Sequence, residues 1–277
     1  MKKQYIALTL IISCFSFMGL KLKLDSIPRK KVPGSSLIYI PSGKYLKYAT
    51  FGYSSLVADL VYLWSIQYFS NQQIPDRFDY LEHVYSITAE LDPHYFDPYQ
   101  VGALIAAYDA RDLDKAFRIL DLGLEKNPKE WIYPWQAGHY AQMLFKDYDR
   151  AQKYYEITMS IEGAPDMARR AYANAAYNLS DFSTAMQHWV EIYETTDDER
   201  IKKIASNHIY RTKAAIDIQA LHKVLDLYKE SYGNYPRDLA QLVTAGYLKS
   251  VPQDLDGNDY HYDNETGEVQ SIPWWKR

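Results

Sequence analysis

The side chains best suited to chemistry crowd one stretch near the C-terminus: Asp254, Asp256, Asn258, Asp259 and Glu265. Carboxylate and amide oxygens at this density suit a hard cation, calcium above all. The span from Asp254 to Glu265 has the outer spacing of an EF-hand loop. Its sixth position, however, is Asp259 where that loop needs glycine, and Pro252 stands where a helix should enter. Two readings stay open: a polar turn with solvated carboxylates, or a calcium site. The reading adopted is no metal and no cofactor, with Asp254, Asp256, Asn258 and Glu265 as weak calcium candidates. Elsewhere chemistry is sparse. The seven histidines are scattered singly, and His83, His139 and His188 fall in helical patterns as packing or surface residues. Asp197 and Asp198 read as a solvated turn. No Gly-rich phosphate loop, H-E-x-x-H or G-x-S-x-G occurs. No catalytic residue is therefore assigned, and the chain is not expected to be an enzyme. The net charge of −4 gives no basic footprint for nucleic acid. The single cysteine, Cys14, sits in the leading apolar run, so no disulfide forms in the rest of the chain. That fits a bacterial envelope or cytosol better than a disulfide-stapled secreted scaffold.

Most of the chain is organised by repetition. Leu81-Glu-His-Val-Tyr85, Ala116-Phe-Arg-Ile-Leu120, Ala151-Gln-Lys-Tyr-Tyr155 and Ala185-Met-Gln-His-Trp189 start 35, 35 and 34 residues apart. Each places a small or aliphatic residue four positions before a large apolar one. The small residue lets two helices approach, the large one fills the gap to the next unit, and Pro93 and Pro128 break the chain at unit ends. Trp135-Gln-Ala-Gly138 and the Arg169–Ala176 stretch start first helices, and Asp147-Tyr148 and Asp181-Phe182 precede second ones. The 27 tyrosines suit apolar packing that ends in a polar tip.

This period and pattern resemble the tetratricopeptide repeat, or TPR. Units 97–130, 131–165 and 166–198 fit best; unit 62–94 is an atypical end repeat, with Leu81 in place of alanine and Ser65 near the usual tryptophan. The resemblance implies a mostly α fold, a solenoid of antiparallel helix pairs over 54–198. It also implies a groove lined by first helices, which in this register present Tyr108, Tyr133, Gln136, Tyr140, Met143, Arg170, Asn174 and Tyr177. Such a groove takes a protein partner, a peptide or a helix, with aromatics and arginine as anchors. Arg170 with Asn174 matches half of the family's clamp for a C-terminal carboxylate. The alternative is that these tyrosines pack between helices.

At the N-terminus, Lys2 and Lys3 precede an apolar run from Tyr5 to Leu20 with no Ala-x-Ala site after it. Residues 1–24 are read as an uncleaved signal anchor or transmembrane helix. Alternatives are a lipoprotein, since Ile11-Ile-Ser-Cys14 is similar to a lipobox, and a cleaved signal. Residues 25–53, rich in proline and glycine, read as a linker with a brief strand at Leu37–Ile40. Ser54 or Ser55 caps a helix through Ala58–Phe69, apolar nearly all round: a buried first helix, or an interfacial membrane helix.

Residues 199–277 differ from the repeats. A helix from Glu199 to about Lys229 leads into Gly233-Asn-Tyr-Pro236, a short helix over Asp238–Ala245 closed by Gly246, and a hairpin of Tyr260–Tyr262 with Val269–Ile272. The order Leu221…Tyr228…Tyr235-Pro236…Gly246-Tyr-Leu248…Pro252-Gln-Asp254…Gly257…Tyr260-His-Tyr262 resembles the soluble part of type II secretion major pseudopilins. Here the module follows repeats instead of an N-terminal pilin helix, so the resemblance implies a borrowed fold and an extracytoplasmic setting, not pseudopilus assembly. It outweighs Lys21, Lys23, Arg29, Lys30 and Lys31, which by the positive-inside rule would hold the chain in the cytoplasm. The expected protein is a membrane-anchored scaffold of a bacterial inner membrane, mostly periplasmic, that binds partner proteins in a pilus-like or secretion apparatus. Alternatives are an accessory subunit positioning an envelope enzyme, or a cytoplasmic adaptor.

Overall fold

The structure, a computed structural model, describes residues 2–26 and 40–271. It is mostly helical, with one small antiparallel sheet near the C-terminus. Four helix pairs run along the chain: α3 (Ser54–Ser70) with α4 (Leu81–Leu91), α5 (Phe96–Leu104) with α6 (Leu113–Lys126), α7 (Ile132–Phe145) with α8 (Tyr148–Ser160), and α9 (Met167–Asn178) with α10 (Phe182–Thr195). Each helix packs on the next in sequence, as in a helical-repeat solenoid.

One turn, made three times, sets the period. Arg111, Lys146 and Ser180 adopt left-handed backbone at φ 54°, 55° and 62°. Each is followed at once by an aspartate whose side chain caps the next helix: Asp112 accepts from the Lys115 N–H, Asp147 from Arg150 and Asp181 from Thr184. The left-handed residue stops one helix, and the cap, worth about 1 kcal/mol, starts its antiparallel partner. Between units, Asn127 donates from Nδ2 to the Pro93 carbonyl at 2.9 Å, and the Tyr99 hydroxyl donates to the same oxygen at 3.0 Å. Successive unit ends are thereby bonded to each other.

Packing follows the small-to-large pattern. Ala116, Ala151 and Ala185 are fully buried, as are Leu120, Tyr155 and Trp189 four residues on. Tyr155 fills its own unit before it reaches the next. A Cβ on Gly138 of the preceding α7 would lie 2.6 Å from the Tyr155 ring, so only glycine fits there. Tyr85 instead fits the sequence expectation, lying against Gly102 of the next unit. One apolar core runs from α3 to α9, and a second joins α9 and α10 to the following helix.

That helix, α11 (Glu199–Tyr232), has 34 residues, about 50 Å at 1.5 Å per residue. It runs three residues past the expected end and stops at Gly233, φ 82°. Its first half covers α10, while its second half forms the core of the C-terminal module. There Leu221, Leu225 and Tyr228 meet Leu239, Leu242, Tyr260 and Val269, with Ile218 and Tyr262 packed at the edge. The expected short helix is reduced to α12 (Ala240–Thr244), with Gly246 left-handed just beyond. Strands β1 (His261–Tyr262) and β2 (Val269–Gln270) pair antiparallel; Ile272 lies outside the described residues. Tyr260 donates to Asp217 at 2.7 Å, Lys213 pairs with the same carboxylate, and Tyr262 donates to the Pro236 carbonyl at 2.9 Å.

Upstream, three expectations change. The stretch read as a linker, 25–53, contains helix α2 (Gly43–Ala49), docked on α4 with Gly43 against the Ile87 carbonyl. The strand expected at Leu37–Ile40 falls largely outside the described residues. Ser54 is the first residue of α3 and not its cap. α3 is not wholly buried either: Leu56, Leu60 and Leu63 are exposed along one side. The apolar N-terminal run forms α1 (Lys2–Asp25), with Cys14 exposed. Among the described residues, no helix is long and apolar enough to cross a membrane.

Ala151→Trp tests the packing account. Overpacking the α7–α8 contact costs roughly 1–3 kcal/mol or more and should lower Tm by roughly 2–12 °C. Lys153→Trp, two residues on and exposed, should leave Tm nearly unchanged. Equal losses from both would mean that Ala151 is not the point of close approach.

Candidate functional site

The expected groove residues separate by burial. Tyr133 is 0% exposed and Tyr140 3% exposed, so neither can touch a partner. This corrects the expectation. Tyr133 packs against Phe96 and Tyr99, with ring centroids 5.5 Å away in each case. Tyr140 takes a hydrogen bond from Gln136 Nε2, and burial pushes its hydroxyl up to about 12. Gln136 Nε2 is used in that bond, while its Oε1 is buried without a hydrogen-bond partner among the described residues. The tyrosine letter could not distinguish these roles, because the ring suits a core as well as a surface.

Three members do reach the surface at equivalent points of successive units. Tyr108, Met143 and Tyr177 lie 35 and 34 residues apart near the ends of α5, α7 and α9. Tyr108 sits in a π-helical turn, Ile105–Asp109, with its ring edge-on to Tyr140 at 5.7 Å. Met143 is 61% exposed. Tyr177 is half-buried, with the Arg211 guanidinium of α11 4.2 Å from its ring centroid. Near the same helix ends Leu104, Phe145 and Leu179 are also exposed. Sequence reasoning missed these three. The available signal was an apolar residue at the end of a first helix, at or just before the left-handed turn, in two successive units.

Arg170 and Asn174 do not form an open clamp. Asn174 accepts from Asn178 Nδ2 at 2.8 Å. The Asp198 carboxyl is held below its usual range by the amides of Arg200 and Ile201, with Arg200 and Arg170 adding favourable charge. Arg170 thus lies near a carboxylate of its own chain.

The acidic stretch is organised around Asp254, which is buried. Its Oδ1 accepts from the N–H groups of Asp256 and Asn258, each at 2.9 Å, and the Asn258 amide reaches both oxygens at 3.3 Å. Asp259 accepts from Gln253 at 2.9 Å. These oxygens close a turn. Among the described residues, no group of three or more His, Cys, Asp or Glu side chains is placed to hold a metal ion.

His83, His94 and His208 have structural partners. His83 bonds the Ile40 carbonyl at 2.9 Å, and His94 bonds Asn127 at 2.8 Å. His208 of α11 stacks on Trp189 at 4.0 Å between centroids, nearly parallel. Burial, helped by Arg211, pushes His208 down to about 4. A depression of about 490 Å³ on the second-helix side, lined by Asp114, Phe117, Arg150 and Tyr154, is closed by its own pairs. Arg150 reaches Asp114 at 3.4 Å and lies 4.8 Å from the Phe117 ring, and Tyr154 donates to Asp121. The apolar row on the first helices is therefore the better candidate for recognising another molecule.

No family model and no curated protein matches this chain.

The His208 stack gives a pH test. The folded state disfavours the protonated ring, so stability is present above the ordinary value near 6.5 and is lost as pH falls towards 4. His208→Phe keeps the stack and removes the titration. Its Tm should fall less than that of the unaltered protein between pH 7 and pH 4.5. Parallel pH profiles would show that His208 is not desolvated by the junction.

Proposed function

We propose that this protein is a membrane-attached scaffold whose TPR-like repeats bind a segment of a partner protein along the first-helix ends. The carrying observation is the surface row Tyr108, Met143, Tyr177, repeated at the period of the fold, with Leu104, Phe145 and Leu179 exposed at the same helix ends. A periodic row matches a partner that is itself periodic or extended, so a helix or peptide fits better than a small molecule. Aromatic and thioether side chains make adaptable apolar contacts of the kind that anchor such segments. Arg211 at the end of the row adds a cation, which favours an acidic residue in that part of the partner.

The C-terminal module supports an envelope setting for the same protein. Its long helix, Tyr235-Pro236 turn, short helix and hairpin follow the order of the pseudopilin soluble part, packed around one cluster. We take it as a docking or spacing module in a pilus-like or secretion assembly. Helix α1, whose described apolar side chains Leu10, Ile12, Phe15 and Phe17 are exposed and join none of the hydrophobic clusters, is read as the membrane attachment.

A photo-crosslinking amino acid placed at Met143 or at Leu179 should capture the same partner in intact cells, while one at Lys153 on the opposite side should not. Met143→Asp with Leu179→Asp should reduce capture about tenfold or more with Tm unchanged. Capture that is equal at all three sites would sink the row as a binding surface. The setting has its own test. Alkaline phosphatase fused after Arg277 should be active, and a fluorescent reporter that works only in the cytoplasm should be dark; the reverse pattern would place the repeats in the cytoplasm.

A further inference from the structure

The first end of the solenoid is bare. Stacked repeats bury a continuous core, and their end units need a polar outer face to remain soluble. α11 supplies one at the far end, with Lys203 and Ser206 exposed and Ile204 the apolar exception. α3 supplies the opposite. Leu56, Leu60 and Leu63 fall at i, i+4 and i+7, on one line of the helix, and are 55–58% exposed. Its inner side, Ala58 with Val57 and Val61, is buried against Ile87 and Leu91 of α4.

The apolar surface continues past the helix. α2 packs Leu46 into the same cluster and turns Tyr45 and Tyr48 outward. The α2–α3 turn holds Phe51 at φ 50°, a left-handed conformation that costs an aromatic residue roughly 1–2 kcal/mol. Its ring is 90% exposed, and Tyr53 follows it into water. A strained turn that presents an aromatic side chain to solvent gains nothing within the folded chain.

Charge selects the occupant. Lys44 and Lys47 are exposed on α2 among these aromatics, and among the described residues neither forms an ion pair. With Tyr48 they line a depression of about 540 Å³. Its other charged groups are Glu90, whose carboxylate takes the Lys44 N–H, and Lys126, which is paired with Glu125. Asp59 is the one carboxylate of α3, exposed near the leucine line and hydrogen-bonded to Tyr95. The remaining aliphatic side chains flanked by tyrosines and lysines have the composition of a surface lying at a membrane interface, where leucine and phenylalanine enter the acyl boundary, tyrosine stays at headgroup depth, and lysine meets anionic phosphate. The seventeen peptide links from Ser26 to Gly43 span at most about 60 Å, which tethers this corner to α1.

We propose that the α2–α3 corner is a second membrane contact, dipping Phe51, Leu56, Leu60 and Leu63 into the interface of an anionic bilayer with Lys44 and Lys47 at the headgroups. The contact rests on the reading of α1 as the membrane attachment for its tethering, but not for its own affinity. It would hold the repeats flat to the bilayer at one end and orient the partner-binding row relative to the surface.

The test uses the full chain and flotation on vesicles of phosphatidylcholine, with and without phosphatidylglycerol. Phe15→Asp with Phe17→Asp disables α1. In that background the chain should still float on anionic vesicles. Leu56→Ser with Leu60→Ser and Leu63→Ser should reduce partitioning about tenfold or more, and Lys44→Gln with Lys47→Gln roughly ten- to thirtyfold at low salt. Circular dichroism checks that each variant is folded. In an otherwise unaltered chain carrying Cys14→Ser, a nitroxide at Leu60→Cys should be more accessible to oxygen than to a water-soluble nickel chelate, and one at Leu255→Cys the reverse. Equal flotation with and without the α1 substitutions, abolished by the patch substitutions, would support the corner and remove α1 as the anchor. No flotation once α1 is disabled, with the Leu60 label reading water, would overturn the corner and leave α1 standing. A chain that is dimeric by light scattering without lipid, and made monomeric by the same leucine substitutions, would overturn it in favour of a second copy.

Discussion

The structure depends on how closely two helix backbones can approach within a pair. Ala116, Ala151 and Ala185 are at full burial, and at Gly138 even one methyl group would collide with the Tyr155 ring. That approach fixes the helix spacing, and the spacing fixes what can lie between pairs. A large side chain four residues after each small residue then fills a gap of set size. The repeated left-handed residue and aspartate cap keep the two helices antiparallel at the same offset each time. The period of 34 or 35 is thus a packing distance expressed in residues.

Tyrosine is the common filler because the gap ends near polar groups. Tyr155 donates to Gln142 at 2.8 Å, Tyr99 to the Pro93 carbonyl, and Tyr85 accepts from Ser65 at 3.3 Å. Burial raises each of these hydroxyls above its ordinary value. The same economy appears where α11 leaves the array. His208 is kept neutral against Trp189, and Asp217 is kept paired under Tyr260 and Lys213. One continuous helix therefore belongs to two cores. Displacing it would disturb the last repeat and the C-terminal module together.

Legibility in the sequence followed the origin of each feature. The repeat was readable because its determinants are local: an alanine, a large residue four later, an aspartate before a helix. The face of α11 was readable from helical spacing, and Leu221, Leu225 and Tyr228 are buried on it; their partners Leu239, Leu242 and Tyr260 lie on other elements that the spacing of α11 does not specify. α2 was not readable. It has seven residues, no capping side chain, and a glycine whose place is set by the Ile87 carbonyl and Glu90 of another helix. The groove was half readable, because Tyr133 and Tyr177 share a letter and both lie on first helices, while a neighbouring aromatic cluster buries the first and a cation lies over part of the second. Asp254 likewise offers the oxygens of a cation site, yet backbone amides two and four residues on take them first.

The two ends of the array show why a repeat cannot be understood from its consensus alone. Interior units have a neighbour on each side, and their apolar faces are accounted for by the period. An end unit has one neighbour, so its outer face is free to carry something else. At the far end the chain covers itself with α11, whose outward side chains are mostly polar or charged. At the near end α3 keeps apolar residues on both sides, although serine or lysine at Leu56, Leu60 and Leu63 would leave the contacts with α4 intact. Three exposed leucines on one line stand beside an aromatic turn that the fold holds in a left-handed conformation. The atypical first repeat is thus atypical in a particular direction: it departs from the pattern where the solenoid must meet something other than another repeat.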